Sequence, residues 1–119
     1  MNGLGKRGED LAAERLESLG YAILERNVRL SGGELDAVAR EGGAIVFVEV
    51  KTRSGTGYGT PQEAVDLVKQ KRLTGLAQEW LQMKGLEDMP ARFDVVAVTM
   101  DSRGRPGIEI FRNAFEAVS

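Results

Sequence analysis

The chain has 119 residues, 29% charged and 42% hydrophobic, with a formal net charge of −2 and neither cysteine nor histidine. That length fits a single domain over residues 1–119. The two missing residue types exclude a disulfide framework, thiolate or imidazole catalysis, and Cys- or His-ligated metals. Any chemistry must therefore use carboxylates, Lys, Tyr, Ser/Thr, backbone groups or an oxygen-bound metal.

Charge is uneven along the chain. Residues 51–84 hold 6 basic and 3 acidic side chains, net +3, against net −3 in residues 1–50 and net −2 in residues 85–119. A nucleic-acid surface would have to be local rather than global. Met1–Gly5 lacks the basic-then-apolar pattern of a signal peptide. The longest apolar run, Ala44 to Val48, is too short to span a bilayer. A soluble cytoplasmic protein with no membrane partner is expected.

The spacing predicts a helix over Leu4 to Leu19, with Ala12, Ala13, Leu16 and Leu19 on one face and Gly20 as its stop. Tyr21 to Arg29 reads as a strand, Ser31-Gly32-Gly33 as a turn, Glu34 to Arg40 as a second strand and Gly42-Gly43 as another turn. Ala44 to Lys51 is a near-continuous apolar strand, which predicts a central place covered on both faces. Thr52 to Gly59 reads as a Gly-rich loop. Thr60 as N-cap, Pro61 at N1 and Glu63 at N3 predict a long helix running to Met83 or Lys84 and ending at Gly85. Its apolar face is Val65, Val68, Leu76, Trp80 and Leu81. Phe93 to Met100 and Ile108 to Phe111 complete the strands. The order α-β-β-β-α-β-β predicts an α/β domain, a mixed five-stranded sheet flanked by helices.

The chemistry-bearing stretch is Gly33-Glu34-Leu35-Asp36 followed by Phe47-Val48-Glu49-Val50-Lys51-Thr52-Arg53. Period 2 puts Glu49 and Lys51 on one strand face with Phe47. A two-residue Gly42-Gly43 turn sets Glu41 opposite Ala44, hence Asp36 opposite Glu49 and Glu34 opposite Lys51, with Cβ atoms about 4.5–5.5 Å apart. Two carboxylates so placed repel unless one is protonated or a cation lies between them. An all-oxygen pair suits Mg²⁺ or Mn²⁺, and a neighbouring Lys suits a phosphate. Glu9, on the core-facing stripe of the first helix beside Gly8, is the third acid. Each residue alone also fits an ordinary role: a strand ion pair, a surface acid, a charge at a helix N-terminus. Together they favour a site.

In this order and context the residues resemble the PD-(D/E)xK nuclease superfamily. More closely, the chain resembles the YraN-like family of small bacterial proteins. The resemblance rests on Gly8-Glu9, Asn27, Gly33-Glu34-Leu35-Asp36, Phe47 to Arg53, Tyr58-Gly59, Lys69-Gln70-Lys71-Arg72, Arg92 to Val96 and Asn113-Ala114-Phe115. Leu35 stands where the superfamily motif has Pro. The resemblance implies a restriction-endonuclease-like core similar to archaeal Holliday-junction resolvases, which work as homodimers on branched DNA. It implies Asp36 and Glu49 as metal ligands, Lys51 as the catalytic lysine and Glu9 as the helix carboxylate, with the Val50 carbonyl as a further ligand of Mg²⁺ or Mn²⁺.

Arg53, Lys69, Lys71 and Arg72 form a basic set for a phosphate backbone, with Lys69 and Arg72 sharing a helix face. Gln62 or Gln70 could approach the site from the helix. Trp80 and Phe93 sit at core spacing and read as packing; Arg103 and Arg105 read as turn charges. The expectation is a metal-dependent nuclease-like protein acting on DNA. Two rivals remain: a nucleic-acid- or protein-binding module on the same fold, and a structural domain whose acids and Lys51 form a buried ion-pair network.

Overall fold

A computed structural model describes residues 3–54 and 65–118. Helix α1 (Gly3–Ser18) is followed by β1 (Ala22–Leu30), β2 (Gly33–Glu41) and β3 (Ala44–Ser54), then by helix α2 (Leu67–Lys84), β4 (Ala91–Met100) and β5 (Pro106–Phe115). The five strands form one sheet in chain order. All neighbours are antiparallel except β3 and β4, which run parallel, with α2 lying between them in the chain. The architecture is the α-β-β-β-α-β-β order and mixed sheet that the sequence predicts. No helix among the described residues is long and apolar enough to cross a membrane.

The helices cover opposite faces. Ala12 and Leu16 of α1 pack with Ala37, Ala39, Val46, Val48, Val96 and Val98. Leu73, Leu76, Ala77 and Trp80 of α2 pack with Leu35, Val38, Ile45, Phe47, Phe93 and Val95. Phe47 meets Trp80 edge-on at 5.8 Å, and Phe93 stacks on Phe115 at 4.6 Å. Removing each such side chain from water is worth about 1.5–3 kcal/mol. Odd and even residues of β3 thus face different helices, which explains its unbroken apolar run and its central place.

Two expectations are corrected. The long helix does not run through from Pro61, because Asp66 has extended backbone (φ −74, ψ 173) and its side chain accepts the Lys69 N–H at 2.9 Å. A carboxylate that satisfies an N-terminal amide makes Asp66 the N-cap. The proposed cap at Thr60, Pro61 and Glu63, like most of the Gly-rich loop, lies outside the described residues. With the start moved, Val68 turns to solvent at 69% exposure while Val65, ahead of the helix, is fully buried. The second correction is to β3, which continues through Thr52 to Ser54 because its parallel ladder with β4 extends to Ser54–Met100. The other end of α2 is as predicted: Gly85 is left-handed (φ 67), and Leu86 N–H returns to Leu81 O at 2.9 Å.

A polar cluster fixes one end of the sheet. Asp94 is fully buried and accepts from Tyr21 Oη at 2.7 Å, Arg92 Nε at 3.0 Å and the Asn113 N–H at 2.9 Å. Asn113 has φ 50 at an irregularity in the β4–β5 register. Asp94 therefore holds a bulge in β5 that would otherwise leave an amide unpaired.

Candidate metal centre at the sheet fork

The β2–β3 hairpin has the register set by the Gly42-Gly43 turn, with Glu41 paired to Ala44 and pairing continuing to Ala37–Val48. There the sheet forks. Below Ala37, β2 pairs with β1, including Arg29–Glu34. Above Val48, β3 pairs with β4. The extrapolated Glu34–Lys51 pair is therefore not formed: Glu34 turns to Arg29, with Nη2–Oε2 at 3.7 Å. Leu35 and Val38, three residues apart, both face α2, whereas Ala37 and Ala39 face α1. The strict alternation of a strand thus slips at Asp36.

Asp36 lies in this fork. Its Oδ2 accepts the Val50 N–H at 2.8 Å, beyond the last β2–β3 pair. Burial, the Glu49 charge, a side-chain hydrogen bond with Glu49 and the Glu9 charge push the Asp36 carboxyl up to about 8, against a lowering by the Val50 amide. The two strand acids and the helix acid therefore feel one another. Glu49 is buried, its side chain 6% exposed. Among the described residues no three acidic side chains form a ready-made cage. The donor set is two carboxylates, which is hard-oxygen chemistry suited to Mg²⁺ or Mn²⁺. Two neighbouring carboxyl groups that raise one another's cost of charge are also what a divalent ion relieves.

Glu9 reaches this region because α1 crosses β3 closely. A Cβ on Gly8 would overlap the Thr52 side chain, so only glycine permits the approach. Glu9 Oε1 accepts Asn27 Nδ2 at 2.9 Å, and the same amide lies 3.4 Å from Glu34 Oε1. Asn27 has φ 53, and the register places it across from Asp36, between the Arg26–Ala37 and Val28–Leu35 pairs. Lys51 is half-buried on β3 beside Ala97.

The basic set divides. Lys69 is not held out to solvent: its Nζ pairs with Glu49 Oε2 at 2.5 Å, joining α2 to the site. Lys71, Arg72 and Arg53 are exposed, with the Arg72 stem lying over Gly33. Gln70 donates to Val65 O at 2.9 Å; Gln62 lies outside the described residues. Trp80 and Phe93 are core residues, 2% and 7% exposed. Arg105 N–H and Arg103 N–H both donate to Asp101 Oδ1, which closes the β4–β5 turn. Sequence reasoning named Lys69 as a phosphate contact but not as the partner of Glu49, and it missed Asn27 as the holder of Glu9. The available signal for Asn27 was an Asn inside a strand, a residue type that tolerates left-handed backbone.

The forked five-stranded mixed sheet, with a helix on each face and Asp36 and Glu49 at its split, defines among the described residues a two-helix α/β domain of order α-β-β-β-α-β-β. The family model described as "Uncharacterised protein family UPF0102" matches residues 8–98, and the chain belongs to that family. A UPF0102 protein of Geobacter sulfurreducens is 56% identical, over 95% of this chain and 88% of its own length. Those of Symbiobacterium thermophilum and Rhodococcus opacus are each 51% identical, over 96% and 94% of this chain and 97% and 95% of theirs. Among solved structures the chain is similar to Pyrococcus furiosus SfsA in complex with Ca²⁺, at 17% identity and a TM-score of 0.40, covering 93% of this chain and 62% of that one.

Proposed function

We propose that the protein is a metal-dependent endonuclease-like hydrolase of DNA phosphodiesters that uses Mg²⁺ or Mn²⁺ and takes branched or structured DNA. The observation that carries this reading is the Asp36–Glu49 pair at the fork, where the half-buried Asp36 carboxyl accepts the Val50 N–H beside the buried Glu49, and desolvation and the Glu49 charge push it up to about 8. Two acids so placed are costly to a domain that does nothing with them. Asp36, Glu49 and the Val50 carbonyl would hold the ion. When bound, it supplies an acidified water and neutralises charge developing on the phosphate.

The remaining roles belong to the chain itself. Lys51 stabilises negative charge on the phosphoryl oxygens. Glu9, oriented by Asn27, accepts a proton from the attacking water. Arg53, Lys69, Lys71 and Arg72 follow the phosphate backbone and set register rather than sequence. A homodimer would bring two such sites to the two strands of one branched substrate.

The test is incubation with duplex, nicked and four-way-junction DNA in Mn²⁺ or Mg²⁺. Cleavage lost in both Lys51→Ala and Asp36→Asn supports the proposal. Cleavage that survives both overturns it. Salt-sensitive DNA binding that persists in EDTA, with no cleavage under any metal, would assign the fold to the binding-module reading instead.

A further inference from the structure

Lys69 occupies a position that does nothing for its own helix. It is the third residue of α2, where the helix dipole presents positive charge and a lysine is disfavoured. Within the first turn itself no acidic residue offsets it, and the nearest acid is the N-cap Asp66. The backbone at Lys69 is nonetheless fixed, because the Asp66 carboxylate caps its N–H at 2.9 Å. From that anchored point the side chain reaches into the fork and sets its ammonium on Glu49 Oε2. The two ends differ in exposure: the Glu49 side chain is 6% exposed and that of Lys69 is 34% exposed. The carboxylate is buried, while the lysine has an open route back to water.

On the reading that Asp36 and Glu49 hold a divalent ion, we propose that Lys69 is the exchangeable occupant of that ion's place. Without metal, its ammonium compensates the Glu49 charge and keeps the acids together. A divalent ion takes over Glu49 and releases Lys69, whose flexible four-carbon stem then carries the ammonium to the DNA phosphate at the same opening. One residue thus fills the cation position in the resting protein and becomes a phosphate contact in the loaded one. The arrangement couples metal binding to DNA binding through a single side chain.

Three measurements test this. The first is Mn²⁺ affinity by calorimetry for wild type, Lys69→Met and Lys71→Met. Lys71→Met removes the same charge from an exposed position two residues away. Loss of a competing cation should make Lys69→Met bind Mn²⁺ about tenfold tighter than wild type, with Lys71→Met within about twofold. The second is the ¹⁵N-lysine ammonium resonance that Lys69→Met removes, which should shift on Mg²⁺ addition toward that of a solvated lysine. The third is the salt dependence of binding to a short DNA duplex. Ca²⁺ should add about one unit to the slope for wild type and none for Lys69→Met.

Equal Mn²⁺ affinity in the two variants, or an ammonium resonance that ignores Mg²⁺, overturns the exchange while leaving the metal centre standing. Failure of all three proteins to bind Mn²⁺ overturns the metal centre and the exchange together. Lys69→Met without metal is expected to melt no higher than wild type. A variant that folds only with Mn²⁺ present supports the proposal, because the ion is then replacing the ammonium.

Discussion

Asn27 and Glu9 are joined across 18 residues by one hydrogen bond, Nδ2 to Oε1 at 2.9 Å, made from a backbone with φ 53. The amide lies where it does because the strand takes a left-handed step there, a conformation that most side chains resist. The two losses separate by substitution. Asn27→Ala keeps the strain and loses the amide, whereas Asn27→Gly loses the amide and relieves the strain. Ala should therefore be less stable than Gly by about 1 kcal/mol in urea unfolding. Equal stability would show that the left-handed step is not what Asn27 maintains.

Stability should fall as pH rises from about 4 to about 8. The folded carboxyl of Asp36 titrates at about 8, well above the ordinary range of an unfolded aspartate, about 3.9. The folded state thus binds the proton more tightly. Its contribution is full below the unfolded value and is lost as pH climbs through the folded one. One such group gives a slope approaching 1.4 kcal/mol per pH unit in that window. Asp36→Asn should flatten the slope and be the more stable protein at pH 8. A wild-type profile flat from pH 5 to 8 would remove the raised Asp36 carboxyl from the description of the fork.

Millimolar Mn²⁺ should raise the melting temperature of the wild type, with the increase growing logarithmically once the ion exceeds its dissociation constant. Asp36→Asn should abolish the increase. The effect should be larger at pH 8 than at pH 5, because at low pH the ion must displace a proton from Asp36. A metal response unchanged by Asp36→Asn would place the ion elsewhere.

Asp94 tests the other end of the sheet. Its carboxylate is fully buried and holds Tyr21, Arg92 and the Asn113 amide. Asp94→Ala strands all three and should cost about 3–5 kcal/mol. Tyr21→Phe removes one donor and should cost about 1–2 kcal/mol. Both are read by denaturant unfolding, and comparable losses would mean the cluster is not a connected network.

The fold was legible because its signals are local and repeated. Gly42-Gly43 set the hairpin register, the apolar run from Ala44 marked the central strand, and Gly85 closed α2. The acids of the site were legible because two polar residues, Glu49 and Lys51, break an otherwise apolar strand. What sequence could not supply was where pairing stops. A register rule extends indefinitely, and nothing local announced that β2 and β3 part after Ala37–Val48. That is why Glu34 was set against Lys51 when it turns to Arg29. The Lys69–Glu49 pair was hidden for a similar reason. An exposed-looking helical lysine and one bent onto a buried glutamate share the same letters until the helix start is known. The start at Leu67 was masked by a stronger-looking cap motif upstream.

Gly8 touches the side chain of Thr52, and there is no room at that crossing for even a methyl group. The next residue along is Glu9. A larger residue at position 8 would therefore act as a shim, lifting this turn of α1 off the sheet and carrying the glutamate with it. The reach of the helix acid is set by a neighbour that has no side chain. Gly8→Ala should disturb Glu9 without altering any acid, lysine or amide at the fork.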